Sequence, residues 1–581
     1  MNRLRIIGLI ICICSSATLF AQDWPQWALN PQHTGAVSFP AQNLNQNLAN
    51  ILYDPLVPDE EQAVVPLIGE KALLAHYQAP LVDGADVFME FKSGNYNKNS
   101  YATQNWGENK FTWSGGTLVQ QWSFPSDWKA PGNQSDFWEP VFHPALANGF
   151  LYVPGAWGTI FKVNKSTGAA VTRIDPFGTS DSNTYTTSPI SVDASGNLYY
   201  TVVQIQPSGD WFQKDIAGAW LVRVSPSNAI TKVSWSVVSA GAPAGTDLCL
   251  NAFAAAQLPW PPSPTAVPPS VTCGTQRPGI NAAPAIARDG TIYVISRAHL
   301  ISRWGYLVAL RPNLTQKWIA SLRNRFNDGC GVPMSQGGFL PPNGTPGGCR
   351  AGANFGVDPA TNAPGGGRVL DDSSSSPVIA PDGSILYGSY TRYNYAQGHL
   401  MRFSKNGAFL GSYLFGWDVT PGIYEHTLDD GYSIAIKDNH YGETGSYCDD
   451  PVICPDDRDA NNPAYPEEYF ITQLDKNMNI EWRYKNTNTL SCSRDANNVV
   501  TCVDDHPHSF EWCVNAFVID GNGVVYANSE DGNLFAINQG GTLKQKIFQQ
   551  LALGAAYTPT SIDSMGRIYS QNAGHLFVAG N

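Results

Sequence analysis

The chain has 581 residues, with 35 basic and 48 acidic side chains and a formal net charge of −13. This acidity argues against nucleic acid as a partner, because binding to phosphates requires clustered Lys and Arg. A chain of this length normally folds as several domains, and a closed repeat fold is the main exception.

The N-terminus has the pattern of a secretory signal peptide. Arg3 and Arg5 precede the apolar run IIGLIICICSSATLF, and Ala21 precedes the polar stretch QDWPQW. The alternative is a single-span anchor, for which the apolar run is short. We therefore expect residues 1–21 to be removed. The mature protein, residues 22–581, should be periplasmic or secreted and should have no membrane span.

One hairpin unit recurs along the mature chain. It consists of Pro, an apolar pair, Asp-Gly or Asn-Gly, and an apolar residue followed by Tyr, as in SPVIAPDGSILYGSY at 376–390. Six clear copies begin near Pro144, Pro189, Pro284, Pro377, Ala516 and Pro559, with looser ones near Pro80 and Thr427. Asp-Gly between alternating apolar runs is a strong hairpin signal.

Each unit reads as four short strands, and the fourth often carries a Trp, as at 122, 235, 318 and 482. Eight such units predict an all-β fold, an eight-bladed β-propeller of four-stranded antiparallel blades. A β-sandwich or two β domains is the alternative. The last unit supplies only three strands before the chain ends, so we expect ILYDP at 51–55 to close the ring as an N-terminal strand and cover the exposed edges.

Three features together resemble a known family. The segment DWPQWALNPQHTG at 23–35, the recurring hairpin unit and the trailing Trp resemble the PQQ-like repeats of quinoprotein alcohol dehydrogenases, and of the outer-membrane assembly lipoprotein of the same fold. The resemblance covers nearly the whole mature chain. It implies a single PQQ-like propeller domain over 22–581, and it speaks to fold more than to activity.

The dehydrogenase members imply a particular site. It contains pyrroloquinoline quinone (PQQ) with calcium, an Asp base, Glu and Asn calcium ligands, a Trp beneath the quinone, and a disulfide between adjacent cysteines. No two cysteines of the mature chain are adjacent, and the Asp base matches no motif. Position alone nominates Glu425 and Asn515 as the calcium ligands. PQQ is therefore not our expected cofactor, although it stays open.

The two faces of the predicted propeller differ in loop length. Turns between strands one and two, and between three and four, lie on one face and are short, such as RDG and PDG. We call this the short-turn face. The opposite, loop-rich face receives every long insertion: 93–110, 123–139, 203–219, 239–280, 323–372, 437–468 and 485–511. Long loops in a compact fold are usually functional or disordered, so we place function on the loop-rich face.

All nine mature cysteines lie in or beside these insertions. In an exported protein they indicate disulfides that brace the loops. Neighbouring cysteines give the simplest pairing: Cys249–Cys273, Cys330–Cys349, Cys448–Cys454 and Cys492–Cys502. Cys513 is then left over, or competes with Cys502 for Cys492.

Polar residues just before each repeat should meet where the central channel opens on the loop-rich face. They are His76, Glu139, His143, Arg277, Asp371, Asp372, Glu425, His426, Glu511 and Asn515. Convergent carboxylates and imidazoles can bind a polar ligand or perform acid–base chemistry. A solvated channel rim without function is the alternative.

A separate stretch, DRDANNPAYPEE at 457–468, has the spacing of a calcium loop. Asp457, Asp459, Asn461 and Glu468 occupy positions 1, 3, 5 and 12 of that pattern. An acidic loop tip without metal is the alternative, because flanking helices are not indicated. Calcium is the one cofactor that the residues themselves suggest.

These observations lead to one functional expectation and two alternatives. We expect an exported binding or scaffolding module, leaning to no enzyme, and monomeric. Its partner on the loop-rich face would be a protein, a glycan or a small ligand. The loop tryptophans available for such contacts are Trp106, Trp128, Trp138 and Trp211. The alternatives are a PQQ- and calcium-dependent oxidoreductase, and a lyase or hydrolase using the His/Glu/Asp rim.

Overall fold

The computed structural model describes residues 24–68, 71–97, 100–131, 141–207, 211, 214–254, 257, 260–332, 349–373, 375–391, 397–414, 419–426, 431–440, 468–495, 499–553 and 557–581. Eight antiparallel sheets follow one another along the chain as blades 1 to 8, and each is four strands wide. The predicted eight-bladed β-propeller is confirmed. The predicted signal peptide lies outside the described residues.

The four strands of each blade are ordered from the propeller axis outwards. The inner strands of blades 1 to 8 are Leu81–Asp83, Ala145–Ala147, Ser191–Val192, Ala285–Ile286, Val378–Ile379, Gly422–Glu425, Val518–Ile519 and Ser561–Ile562. The second strands are Asp86–Gly94, Phe150–Pro154, Leu198–Gln204, Ile292–Ala298, Ile385–Thr391, Tyr432–His440, Val525–Asn528 and Ile568–Asn572. The third strands are Gln104–Ser114, Ile160–Asn164, Gly218–Val224, Gly305–Leu310, Gln397–Phe403, Glu468–Asp475, Asn533–Asn538 and His575–Gly580. The outer strands are Thr117–Pro125, Ala170–Ile174, Ile230–Ser234, Gln316–Ser321, Phe409–Leu414, Ile480–Lys485, Thr542–Phe548 and Gln46–Leu52.

The remaining elements are small. Thr184–Thr186 and Gln276–Pro278 add a second inner piece to blades 3 and 4. Three two-stranded ribbons stand outside the blades: Leu248–Leu250 with Ser270–Thr272, Val357–Asp358 with Ala363–Pro364, and Leu490–Arg494 with Val500–Asp504. The helices are Val57–Ile68 and Trp235–Val238, with 3₁₀ turns at Tyr101–Thr103 and Ala156–Gly158. Within the described ranges, no helix has the length and apolarity needed to cross a bilayer.

The ring is closed by an N-terminal strand, as predicted, but with different bounds. Gln46–Leu52 pairs with His575–Gly580, whereas the expected strand was 51–55. The strand stops at Leu52 because Tyr53 and Asp54 both donate their backbone N–H to the Gly574 carbonyl. The first and last segments of the propeller therefore share one blade.

The recurring hairpin unit has a hydrogen-bonding explanation. In blade 8, Asp563 Oδ1 accepts the backbone N–H groups of Met565 and Arg567, each at 3.0 Å. Its Oδ2 accepts the hydroxyl of Tyr569 at 2.8 Å, and Gly566 has a φ of +84°. One carboxylate thus holds the turn and the following Tyr of this blade. Equivalent contacts occur from Asp193 to Tyr199 and from Asp520 to Tyr526.

The trailing Trp links neighbouring blades. Trp318 donates its indole N–H to the Lys405 carbonyl of the next blade at 2.9 Å. A Cβ on Gly407 would lie 2.8 Å from the Trp318 ring, so this turn requires glycine. Trp122 makes the same contact with Gly168 of blade 2. Apolar side chains of adjacent sheets fill the remaining space between blades.

Three sequence-based boundaries are wrong. The unit expected near Thr427 begins earlier, because its inner strand is Gly422–Glu425. The third strand of blade 1, Gln104–Ser114, occupies much of the expected insertion 93–110. The strand Tyr432–His440 likewise extends into the insertion expected from residue 437.

An extended stretch, residues 24–42, crosses the short-turn end of the axis; we call it the axial segment. It makes a hydrogen bond with every blade in order around the ring. Its partners in blades 1 to 8 are Val82, Leu146, Val192, Ile286, Ile379, Ile423, Ile519 and Gly566. The N-terminal motif therefore ties all the blades together at one face.

The axial segment needs its particular residues to follow this path. Asn30 Oδ1 accepts the backbone N–H groups of Gln32 and Thr34 at 3.1 and 3.2 Å and so fixes a turn. Gly35 has a φ of +66°, and a Cβ there would lie 2.4 Å from the Phe517 carbonyl oxygen. Trp27 is buried and donates to Thr420 Oγ1 at 3.3 Å. The segment thus fills the end of the axis with side chains.

Candidate functional site

The loop-rich mouth is organised around a buried ion pair. Arg277 donates to Asp371 Oδ1 at 2.7 Å and also bonds Asp371 Oδ2. Arg297 lies 3.3 Å from the same carboxylate. Arg277 Nε donates to His299 Nδ1 at 2.8 Å, and its guanidinium stacks over Trp211 at 5.0 Å. Arg277 and Asp371, two predicted rim residues, therefore meet as one network.

Burial and charge set the protonation states in this network. Burial would raise the pKa of Asp371, but Arg277 and Arg297 lower it to about 2. Burial and then the two guanidinium groups lower the pKa of His299 to about 3. Burial lowers the pKa of Arg297 to about 10. At neutral pH the network holds two guanidinium cations, one carboxylate and a neutral imidazole, all internally satisfied.

A second contact joins two other predicted rim residues. His76 Nε2 lies 2.9 Å from the backbone carbonyl of Asp372. The His76 ring stacks on Tyr557 at 4.0 Å, and Lys437 lies 5.3 Å over the same tyrosine ring. His76 therefore contacts the main chain of Asp372 and packs against the Tyr557 ring.

Glu511 and Asn515 lie on the side of blade 7. Glu511 Oε2 accepts the Asn439 amide at 3.4 Å, and the Asn515 carbonyl accepts the backbone N–H of Thr420 at 2.8 Å. Both residues precede the inner strand of that blade, where the sequence placed them. Glu139, another acidic rim candidate, lies outside the described residues.

His143 is buried against the axial segment. It is fully buried, its Nδ1 is 2.7 Å from the Pro144 carbonyl, and its ring meets the edge of Trp27 at 5.4 Å. His33 of the axial segment is also buried, with Nδ1 2.8 Å from the Pro377 carbonyl. Burial lowers the pKa of each histidine to about 4. Both are therefore neutral at pH 7, and a charge on His33 would lower the pKa of His143 further.

Glu425 and His426 occupy the opposite face from the one expected. Glu425 ends the inner strand of blade 6 and lines a cleft on the short-turn face. His426 Nε2 lies 2.8 Å from Ser433 Oγ. The displacement follows from the unit boundary, because the inner strand precedes Thr427. These two residues do not join the loop-rich rim.

The same displacement bears on the quinone and calcium site implied by the resemblance. Asn515 lies beside Thr420, before the inner strand, and Glu425 lies at its far end. Five residues of extended chain separate Thr420 from Glu425 by about 16 Å, so the nominated pair does not form one calcium site. The shortest described disulfide spans 10 residues, Cys492 to Cys502. The residues nominated for a quinone with calcium therefore do not fit.

The predicted calcium loop is described only at its last member. Asp457, Asp459 and Asn461 lie outside the described residues. Glu468, the twelfth position, begins the third strand of blade 6 and pairs with Lys485 at 2.8 Å. Over the described ranges, no three His, Cys, Asp or Glu side chains group as a metal site.

Three predicted disulfides are present: Cys249–Cys273, Cys330–Cys349 and Cys492–Cys502. Because Cys492 and Cys502 are bonded to each other, Cys513 is excluded from that pair. Cys513 is buried, and burial raises the pKa of its thiol. Cys448 and Cys454 lie outside the described residues. Three disulfides fit an oxidising compartment outside the cytoplasm.

Two of these disulfides brace one compact unit above blades 3 to 5. Its described parts come from the insertions 239–280 and 323–372, and we call it the crown. Phe253 donates its backbone N–H to Ala360 at 2.9 Å, and Asn362 donates its amide to the carbonyls of Pro264 and Ala266. Phe253, Trp260, Cys330, Cys349 and Ala360 form a small core of its own. The insertions are therefore ordered against each other.

Three of the four loop tryptophans proposed for ligand contacts are described, and all three are buried. Trp106, Trp128 and Trp211 are at most 5% exposed, and Trp138 lies outside the described residues. Trp106 and Trp128 pack edge to face at 4.9 Å. These three rings support the loops and do not offer a surface for a glycan.

The short-turn face carries two clefts that the sequence did not reveal. They flank the axial segment and have volumes of about 510 and about 410 Å³. The larger lies between the axial segment and blades 4 to 7, and the smaller lies against blades 1 and 2. Both depend on residues far apart in the chain. The unusual Trp- and Pro-containing motif at 23–35 was the one available signal.

No known protein family's sequence profile matches this chain. No curated protein matches it either. Among solved structures, the chain is similar to the quinohemoprotein alcohol dehydrogenase from Comamonas testosteroni, at 11% identity over 96% of this chain and 80% of that chain, with a TM-score of 0.48.

Two further solved structures have the same kind of likeness. A europium-containing methanol dehydrogenase is 9% identical over 94% of this chain and 89% of that chain, with a TM-score of 0.44. BamB from Moraxella catarrhalis is 10% identical over 92% of this chain and 99% of that chain, with a TM-score of 0.39. At these values the likenesses carry no argument about activity, and the propeller rests on the strand pairing described above.

Proposed function

We propose that this protein is an exported, non-catalytic propeller that binds a partner protein through the crown on its loop-rich face. The observation that supports the proposal is the placement of exposed apolar side chains. Among the described residues, four of the five most exposed large apolar side chains belong to disulfide-braced loops of that face: Leu248 at 72%, Val267 at 70%, Phe355 at 68% and Val503 at 62%. Exposed apolar groups on a rigid support are typical of interaction sites.

The order of the crown adds to this argument. Disulfides and internal hydrogen bonds hold Leu248, Val267 and Phe355 on a preformed surface, so binding costs little ordering entropy. The rim network gives less support for catalysis, because Arg277 and Asp371 are buried and saturated by each other. A protein partner also suits these side chains better than a glycan, since the described loop tryptophans, Trp106, Trp128 and Trp211, are buried.

Site-specific photo-crosslinking tests the proposal. A photoreactive residue is placed at Val267 or Phe355 of the full-length protein in the cells that make it. A matched control carries it at Val171 or Leu410, which are 54% and 52% exposed on outer strands. We expect one recurring protein adduct from the crown positions, and its loss in a Phe355→Asp variant but not in Leu410→Asp.

Two results would overturn the proposal. Adducts of the same pattern from crown and outer-strand positions would mean that contact is unspecific. An adduct consisting of a second copy of this chain, with a dimer in sedimentation of the purified protein, would replace the partner by self-association.

A further inference from the structure

The larger cleft on the short-turn face has the form of a small-molecule site. Its volume is about 510 Å³, within the range of about 300–1,000 Å³ that such sites occupy. Its floor includes Val37 of the axial segment and Ile379 and Ile423 of two inner strands, all buried. An apolar floor with polar groups at the rim suits a ligand that has an apolar body and a charged end.

Two cations lie on the rim of this cleft. Arg288 belongs to the turn after the inner strand of blade 4, and Lys405 to the outer turn of blade 5, and both are exposed. Their head groups have no hydrogen bond or ion pair with any residue in the described part of the chain. Two other cations of the same face are paired, Arg402 with Asp382 and Arg567 with Asp563, each at 2.6 Å. The chain has a net charge of −13, so two unpaired cations beside one cleft make a local site of positive charge in an acidic protein.

The acidic lining residues are distributed unequally. Asp289 accepts the backbone N–H of Thr291 at 2.9 Å and lies 3.8 Å from Lys317, so its negative charge is partly neutralised. Glu425 stands on the blade 6 side of the cleft. An anion is therefore attracted towards blades 4 and 5 and repelled from blade 6, which gives a bound ligand one orientation.

We propose that this cleft binds an organic anion, with its carboxylate held by Arg288 and Lys405 and its apolar body against Val37, Ile379 and Ile423. A guanidinium matches a carboxylate with two parallel hydrogen bonds, and an ammonium adds a point charge. Aromatic and alkyl carboxylic acids both have this chemistry.

The site is preformed because the axial segment builds one of its walls. The carbonyls of Gln32 and Thr34 accept the backbone N–H groups of Ile379 and Ile423 at 3.0 and 2.8 Å. A ligand therefore meets a wall already fixed to the blades, so little ordering entropy opposes binding. The cleft lies on the face opposite the crown, and this inference is independent of the partner proposed there.

The test uses the full-length mature protein and a fluorescent organic anion, 8-anilinonaphthalene-1-sulfonate, in a titration. We expect a single site from which 1-naphthoate displaces the probe and its uncharged analogue 1-naphthalenemethanol does not. The double variant Arg288→Gln, Lys405→Gln should bind the probe at least about tenfold more weakly. The matched control is Lys476→Gln, an exposed lysine in a blade 6 turn that does not line the cleft, and it should bind as the parent does.

A second variant tests the location without removing charge. Ser38 is exposed and lines the cleft, so Ser38→Trp should fill the opening and abolish displaceable binding. Three results would overturn the proposal: unchanged binding in the double variant, an equal loss in Lys476→Gln, or equal displacement by the uncharged analogue.

Discussion

The two ends of the propeller axis are built in different ways. At the short-turn end, one continuous stretch of chain touches all eight blades, and backbone hydrogen bonds make most of the contacts. At the loop-rich end, separate insertions are held by disulfides and by the buried pair of Arg277 and Asp371. One end thus integrates the whole ring, whereas the other is stabilised piece by piece. A substitution that disrupts the short-turn end should therefore destabilise the whole ring, whereas one at the loop-rich end should have a local effect.

Removing the indoles of the axial segment should have the largest effect. Trp24 and Trp27 are 0% and 1% exposed, and a buried Trp→Ala change costs about 3–5 kcal/mol. We expect Trp24→Ala, Trp27→Ala to lower the free energy of unfolding by on the order of 6 kcal/mol or more. Urea unfolding followed by tryptophan fluorescence and by far-ultraviolet circular dichroism measures it.

The control is Trp157→Ala, which removes a half-buried indole from a blade 2 loop. It should cost much less. If the double variant unfolded at the same urea concentration as Trp157→Ala, the axial segment would not integrate the ring, and the contrast between the two ends would fail.

Acid should weaken the packing around the axial segment before it breaks the ion pair of the loop-rich end. His33 and His143 have pKa values lowered to about 4 by burial, against an ordinary value of 6.5. The unfolded chain binds these protons first, so the stability they contribute is full above pH 6.5 and falls as the pH drops towards 4. The loss is on the order of 3 kcal/mol per histidine.

The loop-rich end has one group in the same window and one outside it. The stability contributed by His299, whose pKa is about 3, also falls below pH 6.5, whereas the stability contributed by Asp371, whose pKa is about 2, is full above about pH 4 and is lost only as the pH falls towards 2. Urea unfolding at pH 7, 6, 5 and 4.5 measures the slope. His33→Asn, His143→Asn should flatten it while keeping a side-chain donor near each carbonyl. An unchanged slope in that variant would assign the acid response to His299 or to other groups.

The sequence predicted the features that rest on local chemistry. The Asp, Gly and Tyr spacing marks a turn that one carboxylate stabilises, as Asp563 does, so blade number and hairpin positions could be derived. Neighbouring cysteines could be paired because each pair closes a short loop of one insertion. Glu425 was misplaced because blade 6 has the least regular unit, and one strand of error moves a residue to the other face.

Features that join distant segments could not be derived in this way. The axial segment has no strand periodicity, and its partners range from Val82 to Gly566. The larger cleft needs Asn30, Arg288, Lys405 and Glu425 to meet, and no local pattern relates them. The pair of Arg277 and Asp371 is separated by 94 residues. Such contacts form when the ring closes. The repeats predict that closure, but they do not predict which side chains it brings together.

Removing the disulfide of the exposed ribbon should have the smallest effect on stability, smaller than removing the buried disulfide of the crown. Cys492–Cys502 and Cys249–Cys273 span 10 and 24 residues, and a chain-entropy model gives about 3 kcal/mol for either. The ribbon Leu490–Arg494 with Val500–Asp504 is largely exposed, whereas Cys249 and Cys273 are fully buried.

We therefore expect Cys492→Ser, Cys502→Ser to change the global melting temperature little and to raise amide hydrogen exchange only within 490–504. Cys249→Ser, Cys273→Ser should lower the melting temperature clearly, because a buried bridge cannot open without disturbing the crown. Equal shifts in the two variants would mean that the ribbon unfolds together with the blades, and that the loop-rich end is less divided into local units than its contacts indicate.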